Sequence, residues 1–229
     1  MKKYDMYPTA DYPDLKELLE KAGASYAGKP VFRTKTEDGI RDIGAEEFTM
    51  LVNRIGAAFL RQGLTGGRKI AVIGETSVEW IAVYFAVVCG GNVIVPIDKD
   101  LPIDEIAHLL KDSGADAVLY SLAMQSVMDR LEELKPEKCR PICMSGRPDP
   151  SRRSLVSMTE AVSDEALQAY AAIAQDPEAL STIIYTSGTT GQSKGVMLCQ
   201  RNILRVAAGG LSLLHIGDVC LSVLPIHHS

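Results

Sequence analysis

Short apolar runs alternate with amphipathic stretches through the middle of the chain. Four of these runs predict buried strands, at 69–73, 92–97, 116–120 and 140–144. Apolar residues recur at helical spacing between the runs, which predicts helices over 77–89, 104–113 and 124–134. Strands that alternate with helices favour a parallel sheet, and strands as apolar as these favour burial on both faces. The pattern therefore predicts an α/β fold, a layered and largely parallel sheet with helices on both faces.

The pattern divides the chain into three parts. Residues 14–66 predict two opening helices and two short strands, with Asp14 capping the first helix and Gly23 ending it. Residues 67–215 hold the alternating strands and helices of the sheet. Residues 216–229 begin with a further strand pattern and end near two adjacent histidines.

The composition is that of a globular protein of ordinary polarity. Hydrophobic residues make up 46% of the 229 residues and charged residues 23%, with a net charge of −5. This acidic balance argues against a general binder of nucleic acid or of anionic membranes. The longest uncharged apolar run, 80–97, has the length of a membrane span, but Gly90, Gly91 and Asn92 interrupt it. We therefore expect a buried helix, a turn and a buried strand there, and no transmembrane segment.

Cysteine usage and the first residues favour the cytoplasm. The five cysteines are odd in number and scattered, and they form no Cys-x-x-Cys pair. Such a pattern is typical of reduced thiols rather than of a disulfide framework or a zinc site. The chain also begins without the apolar run of a signal peptide. We therefore expect a cytoplasmic protein.

One segment, from Tyr185 to Gly195, carries candidate chemistry. It reads Tyr-Thr-Ser-Gly-Thr-Thr-Gly-Gln-Ser-Lys-Gly, with five hydroxyl side chains, two glycines and one lysine between Thr186 and Lys194. Glycines let the backbone approach a ligand closely, successive N–H groups can form an anion-binding nest, and an ammonium adds a point charge. The flanks, 181–185 and 195–199, are β-prone, which argues against a flexible serine–glycine linker. The segment predicts a phosphate loop between two strands.

The common nucleotide-binding loops do not account for this segment. A Walker A loop needs Gly-Lys-Ser/Thr leading into a helix, but Lys194 stands between Ser193 and Gly195. The dinucleotide fingerprint Gly-x-Gly-x-x-Gly is absent as well. The residues therefore predict an anion cradle of another kind.

The segment resembles the signature loop of the adenylate-forming superfamily, which includes acyl-CoA synthetases, luciferase and the adenylation domains of peptide synthetases. The usual pattern is Tyr/Phe-Thr-Ser-Gly-Thr/Ser-Thr-Gly-x-Pro-Lys-Gly, and this chain departs from it at Ser193, where proline is usual. The strand 92–98, with Pro96, is also similar to a family strand. Pro-x-His-His at 225–228 is most similar to acyl-CoA synthetases, including long-chain ones. The resemblance covers nearly the whole chain and implies the N-terminal part of a large AMP-binding domain.

The resemblance implies a two-step reaction with ATP. In the family a carboxylate attacks the α-phosphorus of ATP, pyrophosphate leaves, and a thiol, usually that of CoA, then takes the acyl group. The implied partners are ATP with Mg²⁺, a carboxylic acid, favoured to be a fatty acid, and CoA. By analogy, the loop residues that hold the β- and γ-phosphates are Thr186, Ser187, Gly188, Thr189, Thr190, Gly191 and Lys194.

Two histidines are candidate substrate contacts. His228 matches a family position between the acyl pocket and the reacting carboxylate, and His227 is a second candidate. Neighbouring residues on a strand point to opposite faces, which argues against both histidines ligating one metal ion. The chain therefore offers no assigned metal ligand. Three adjacent carboxylate pairs are interpreted as solvated helix faces: Glu46–Glu47, Asp104–Glu105 and Glu132–Glu133.

The family motifs that supply the magnesium ligand, the adenine contacts and the catalytic lysine would follow residue 229. We therefore expect a truncated piece of a longer ligase, inactive alone, without the rest of the large domain and the C-terminal lid domain. Missing strands would leave apolar surface exposed, so we expect self-association. Two alternatives stay open. One is a parent that activates amino acids or is similar to luciferase, and the other is a non-catalytic nucleotide- or pyrophosphate-binding module.

Overall fold

The computed structural model describes residues 7–36, 39–133, 139–146, 151–187 and 193–213, together with residues 220 and 222. Within these ranges the helices are α1 (Leu15–Ser25), α2 (Ala45–Arg61), α3 (Val78–Cys89), α4 (Ile103–Ser113), α5 (Gln125–Glu133), α6 (Leu155–Glu160), α7 (Asp164–Ala171) and α8 (Gln200–Leu213). The strands are β1 (Pro30–Thr36), β2 (Gly39–Gly44), β3 (Lys69–Ile73), β4 (Val93–Ile97), β5 (Ala117–Tyr120), β6 (Arg140–Cys143), β7 (Leu180–Ser187) and β8 (Ser193–Cys199).

Six of the strands form one sheet in the order β6-β5-β3-β4-β7-β8. All neighbouring strands in this order are parallel except β7 and β8, which are antiparallel. Strands β1 and β2 form a separate antiparallel hairpin. The prediction of a largely parallel α/β sheet is therefore confirmed.

Helices cover the sheet on both faces, and the side chains of its apolar strands point alternately into two cores. Along β3, Ile70 and Val72 face a cluster with residues of α1, α2 and α3, whereas Ala71 and Ile73 face a cluster with residues of α4 and α5. All four side chains are fully buried. A strand buried on both sides lacks the alternating polar positions of a solvent-facing strand, which explains the continuous apolar run in the sequence.

The apolar run 80–97 divides into a helix and a strand, as the interrupting glycines indicate. Helix α3 begins after Ser77, whose hydroxyl accepts a hydrogen bond from the Trp80 amide at 3.1 Å. The helix ends at Cys89, and β4 follows after a short turn. Among the residues described, no helix has both the length and the apolar character needed to cross a bilayer.

Helix α1 corrects one boundary. Asp14 caps it as predicted, with its Oδ1 accepting from the Glu17 amide at 2.8 Å, but the helix passes through Gly23 and ends at Ser25. A β-carbon added at Gly23 would lie 3.1 Å from Thr49 Oγ1 on α2. This glycine therefore permits a close approach between two helices rather than ending one.

Candidate functional site

The predicted phosphate loop is flanked by the two strands of an antiparallel hairpin. Strand β7 ends at Ser187 and β8 begins at Ser193, and these two residues are paired across the hairpin. Residues 188–192 join them. The prediction of a strand on each side of the loop is confirmed.

The carboxyl end of β7 lies at the same edge of the sheet as those of its parallel neighbours. Strand β7 runs parallel to β4, and β4 runs parallel to β3, so their carboxyl ends share one edge. In open α/β sheets, ligands bind outside the carboxyl ends of the strands. The end of β7 therefore lies where such a fold usually carries its site.

Thr186 and Lys194 face each other across the two strands just before the loop. They are direct register partners. Side chains paired in this way lie on one face of a sheet, with their β-carbons about 4.5–5.5 Å apart. Both residues are exposed, and the Lys194 ammonium makes no ion pair or hydrogen bond with another residue of the described ranges. The pair presents a cation and a hydroxyl together, which is a suitable start for an anion site.

The opposite face of the hairpin contacts helix α4 through two hydroxyl groups. The Tyr185 hydroxyl donates to Asp112 Oδ2 at 2.6 Å, and the Ser193 hydroxyl donates to Glu105 Oε1 at 2.6 Å. Burial raises the pKa of the Tyr185 phenol, and the hydrogen bond to the Asp112 carboxylate raises that pKa further. Tyr185 is therefore a neutral donor at physiological pH.

The base of the hairpin is anchored in the core. A hydrogen bond of 3.0 Å joins the hydroxyls of Thr182 and Tyr84, which lie on β7 and α3. Thr182 is 1% exposed and Ile183, its neighbour on the other face of β7, is 6% exposed. Burial raises the pKa of the Tyr84 phenol, although its hydrogen bond with Thr182 acts in the opposite direction. The hairpin is thus fixed where it enters the sheet.

Several predicted site residues lie outside the described part of the chain. These are Gly188, Thr189, Thr190 and Gly191 of the loop, and His227 and His228 near the chain end. Ser187 is placed by its backbone pairing with Ser193. The roles assigned to all these residues stay predictions.

Among the residues that the structure describes, no group of three or more His, Cys, Asp or Glu side chains is arranged to hold a metal ion.

The sequence interpretation missed the contacts that Glu105 and Asp112 make with the hairpin. The pair Asp104–Glu105 was expected to be a solvated helix face, and Asp104 is indeed exposed, but Glu105 is half-buried and accepts from Ser193. The spacing of Glu105 and Asp112 places both on one side of α4. That spacing can be read from the sequence, but the partners of the two carboxylates depend on how β7 and β8 pack against α4.

Comparison with known proteins gives one family and several relatives. The family described as "AMP-binding enzyme" matches residues 19–229. The hybrid PKS-NRPS synthetase apdA of Emericella nidulans is 26% identical over 211 residues, which are 92% of this chain and 5% of that protein. Fatty acid–[acyl-carrier-protein] ligase ScoC of Streptomyces coeruleorubidus is 26% identical over 95% of this chain and 40% of its own length. The long-chain-fatty-acid–CoA ligase ACSBG1 of Rattus norvegicus is 24% identical over 93% of this chain and 31% of its own length.

Solved structures share the fold. The luciferase-like enzyme of the nonluminescent mealworm Zophobas morio aligns with a TM-score of 0.75 at 17% identity, covering 90% of this chain and 47% of that one. The ATP-bound structure of MatB from Rhodopseudomonas palustris aligns with a TM-score of 0.62 at 25% identity, covering 82% of this chain and 36% of that one. This chain therefore spans less than half the length of each protein named here.

Proposed function

Because the chain belongs to the AMP-binding enzyme family, we propose that it carries the polyphosphate-binding hairpin of an ATP-dependent, AMP-forming acid–thiol ligase. In such a reaction a carboxylate oxygen bonds to the α-phosphorus of ATP as the bond to pyrophosphate breaks. The thiol sulfur then bonds to the acyl carbon and AMP leaves. Both steps depend on positioning and on stabilisation of the phosphate charge.

The observation that supports this proposal most is the placement of Lys194 opposite Thr186 at the mouth of the hairpin. An ammonium that has no carboxylate partner among the described residues can neutralise the charge that develops on leaving pyrophosphate. A preorganised donor of this type contributes about 2.7–4 kcal/mol at a transition state. We assign Lys194 to charge neutralisation and Thr186 to a hydroxyl contact with a phosphate oxygen.

The loop residues complete the proposed cradle. We assign phosphate contacts to the hydroxyl and amide groups of Ser187, Thr189 and Thr190, and close backbone approach to Gly188 and Gly191. Glycine at such positions lets N–H groups converge on an anion. Mg²⁺ would accompany ATP and neutralise part of the same charge, and its ligands are left unassigned.

A fatty acid is the acyl substrate that we propose. Two of the named relatives carry fatty acid in their names, and Pro-x-His-His at 225–228 is similar to acyl-CoA synthetases. We assign His228, with His227 beside it, to the acyl pocket. We propose CoA as the thiol acceptor, as in the name of the rat ligase, with a carrier protein as the alternative that the name of ScoC suggests.

We propose that these 229 residues bind polyphosphate without completing adenylation, since they span 31% of the length of the rat ligase and 40% of ScoC. The reaction is assigned to the cytoplasm, in keeping with the scattered cysteines. ATP, a carboxylic acid and CoA would meet the chain as substrates of the whole ligase.

Calorimetric titration of the chain with inorganic pyrophosphate and with MgATP tests the proposal. We expect binding that Lys194→Ala weakens about tenfold, which corresponds to one lost charge-assisted contact of about 1.4 kcal/mol. Lys29→Ala removes another exposed lysine and should leave both affinities unchanged. Equal losses of affinity in the two variants would mean that the net charge of the chain, and not the position of Lys194, determines binding. That outcome would contradict the assignment of Lys194.

Exchange of labelled pyrophosphate into ATP separates the alternatives. A panel of fatty, aromatic and amino acids is incubated with ATP and with a longer protein that contains this chain. Exchange that depends on amino acids would favour an amino-acid-activating protein, a class suggested by the similarity to a hybrid PKS-NRPS synthetase. Tight nucleotide binding without exchange for any longer protein that contains this chain would favour a non-catalytic binding module.

A further inference from the structure

Two carboxylates of α4 contact the two strands that flank the predicted phosphate loop. Asp112 accepts from Tyr185 on β7, and Glu105 accepts from Ser193 on β8, each at 2.6 Å. Hydrogen bonds to ionised acceptors are shorter and stronger than neutral ones. Each strand of the hairpin is therefore tied to the same helix.

The two contacts share one helix side and one hairpin face. Glu105 and Asp112 are two helical turns apart, roughly 10 Å along the axis of α4. The β7–β8 register places the side chains of Tyr185 and Ser193 on the same face of the hairpin. Thr186 and Lys194 consequently project from the opposite face.

Helix α4 is held in place independently of these hydrogen bonds. Ile106, Leu109 and Leu110 are 1%, 1% and 3% exposed in the core beneath the sheet. The helix is therefore the fixed body, and the hairpin is the part that the two carboxylates position.

A carboxylate beside a polyphosphate site is unfavourable unless it has another role, because it repels the ligand. Glu105 contacts the residue directly before Lys194. Ser193 replaces the proline of the usual signature pattern, and proline fixes φ near about −65°. Serine removes that restraint and adds the hydroxyl that Glu105 accepts.

We propose that Glu105 is a positioning residue for the polyphosphate site. Its hydrogen bond with Ser193 restrains the start of β8 and so directs Lys194 towards the ligand, in place of the missing proline. Asp112 assists by accepting a hydrogen bond from the Tyr185 hydroxyl on β7. The identity of the ligand rests on the proposed function, but the hydrogen bond between Glu105 and Ser193 is present in the ligand-free chain.

Affinity for inorganic pyrophosphate gives the sign of the effect. If Glu105 acts as a positioning residue, Glu105→Ala weakens binding by about threefold to fivefold. If it acts only as a negative charge, the same change strengthens binding. Asp104→Ala removes an exposed charge from the neighbouring residue and measures that purely electrostatic effect.

Two further variants test the route through Ser193. Ser193→Ala should weaken binding as much as Glu105→Ala, and the double variant should be no weaker than either. Ser193→Pro should restore affinity in the Glu105→Ala background. Additive losses, or strengthening equal to that of Asp104→Ala, would overturn the inference.

Hydrogen exchange of the ligand-free chain separates this inference from the proposed function. Glu105→Ala should speed exchange of the β8 amides that donate to β7, while the amides of β3 keep their rates, and thermal unfolding verifies that the variant is folded. Unchanged exchange at β8 overturns the inference even where pyrophosphate binds. Failure of the unaltered chain to bind pyrophosphate contradicts the proposed function, and the exchange result then still decides whether Glu105 restrains β8.

Discussion

The ring of Tyr170 lies directly against the α-carbon of Gly56, in the interior of α2. A β-carbon at Gly56 would come within 2.1 Å of Tyr170 Cε2. The ring is held there because its hydroxyl donates to the Ala86 carbonyl of α3 at 3.0 Å in a buried contact. One tyrosine from α7 therefore joins two helices that cover the sheet.

Gly56→Ala should destabilise the chain although alanine favours helix. The gain in helix propensity is about 1 kcal/mol, whereas overpacking a fixed ring costs about 1–3 kcal/mol. Urea denaturation measures the difference. Gly210→Ala is the matched control and should stabilise the chain, because Gly210 lies in α8 and no described residue outside its own turn of helix comes within 4 Å of an added β-carbon. Stabilisation by both changes would contradict the close contact with Tyr170.

Asn92→Ala should lower the free energy of unfolding by about 2–3 kcal/mol. Asn92 is 2% exposed, and its side chain donates to the Leu64 carbonyl at 3.0 Å and accepts from the Arg68 amide at 3.1 Å. Removing it leaves the buried Leu64 carbonyl and the part-buried Arg68 amide without these partners, and a buried group left unpaired costs about 1–3 kcal/mol. Asn53→Ala, on the partly exposed side of α2, should change stability by less than about 0.5 kcal/mol in the same denaturation experiment.

Alkaline pH should destabilise the chain through Cys89. Burial raises the pKa of this thiol from 9.0 to about 12. The unfolded chain therefore loses the proton at lower pH than the folded chain, and stability falls as pH rises from the unfolded towards the folded pKa. The slope attributable to this thiol is at most about 1.4 kcal/mol per pH unit.

Denaturation midpoints at about pH 8 and about pH 10.5 check this sign. Cys89→Ala should lose less stability between the two conditions than the unaltered chain. Val88→Ala removes a buried side chain of the same helix but keeps the thiol, so it should retain the full pH dependence. Identical slopes for all three proteins would contradict the role of Cys89.

The chain should self-associate through β8. This strand ends the sheet within the described residues, and Met197 on it is 70% exposed. An edge strand with apolar side chains is a template for pairing with another chain. Met197→Lys should shift sedimentation towards the monomer, whereas Met50→Lys, at a methionine of α2 that is 52% exposed, should not. Monomeric behaviour of the unaltered chain would disprove the prediction.

Local pattern predicted the sheet strands well because their burial is continuous. Strand β3 was predicted with both of its ends, since the apolar run 69–73 lies between glycines and polar residues. Helix α1 was predicted three residues too short, because Gly23 was interpreted as a helix end. Its close packing against Thr49 of α2 is a tertiary contact that the local sequence does not reveal. Helix α6 was missed, since six residues are too few for a clear helical period.

Residue types in the phosphate segment predicted the flanking strands, but not what holds them. Sequence spacing could show that Glu105 and Asp112 share a side of α4. It could not show that Ser193 and Tyr185 meet them, because those contacts join residues 88 and 73 positions apart. Such contacts depend on strand order, and neither the order of the sheet nor the reversed direction of β8 was predicted from periodicity.

The hairpin also has a consequence for the order in which the molecule folds. Its two strands are joined by only a few residues, so closing it costs little chain entropy. Docking of the hairpin onto the rest of the structure instead depends on contacts such as that between Tyr84 and Thr182, which are 98 residues apart in the chain. Contacts this distant form slowly. The hairpin can therefore form early and dock late, and the proposed polyphosphate site would be complete only once β7 has docked beside β4.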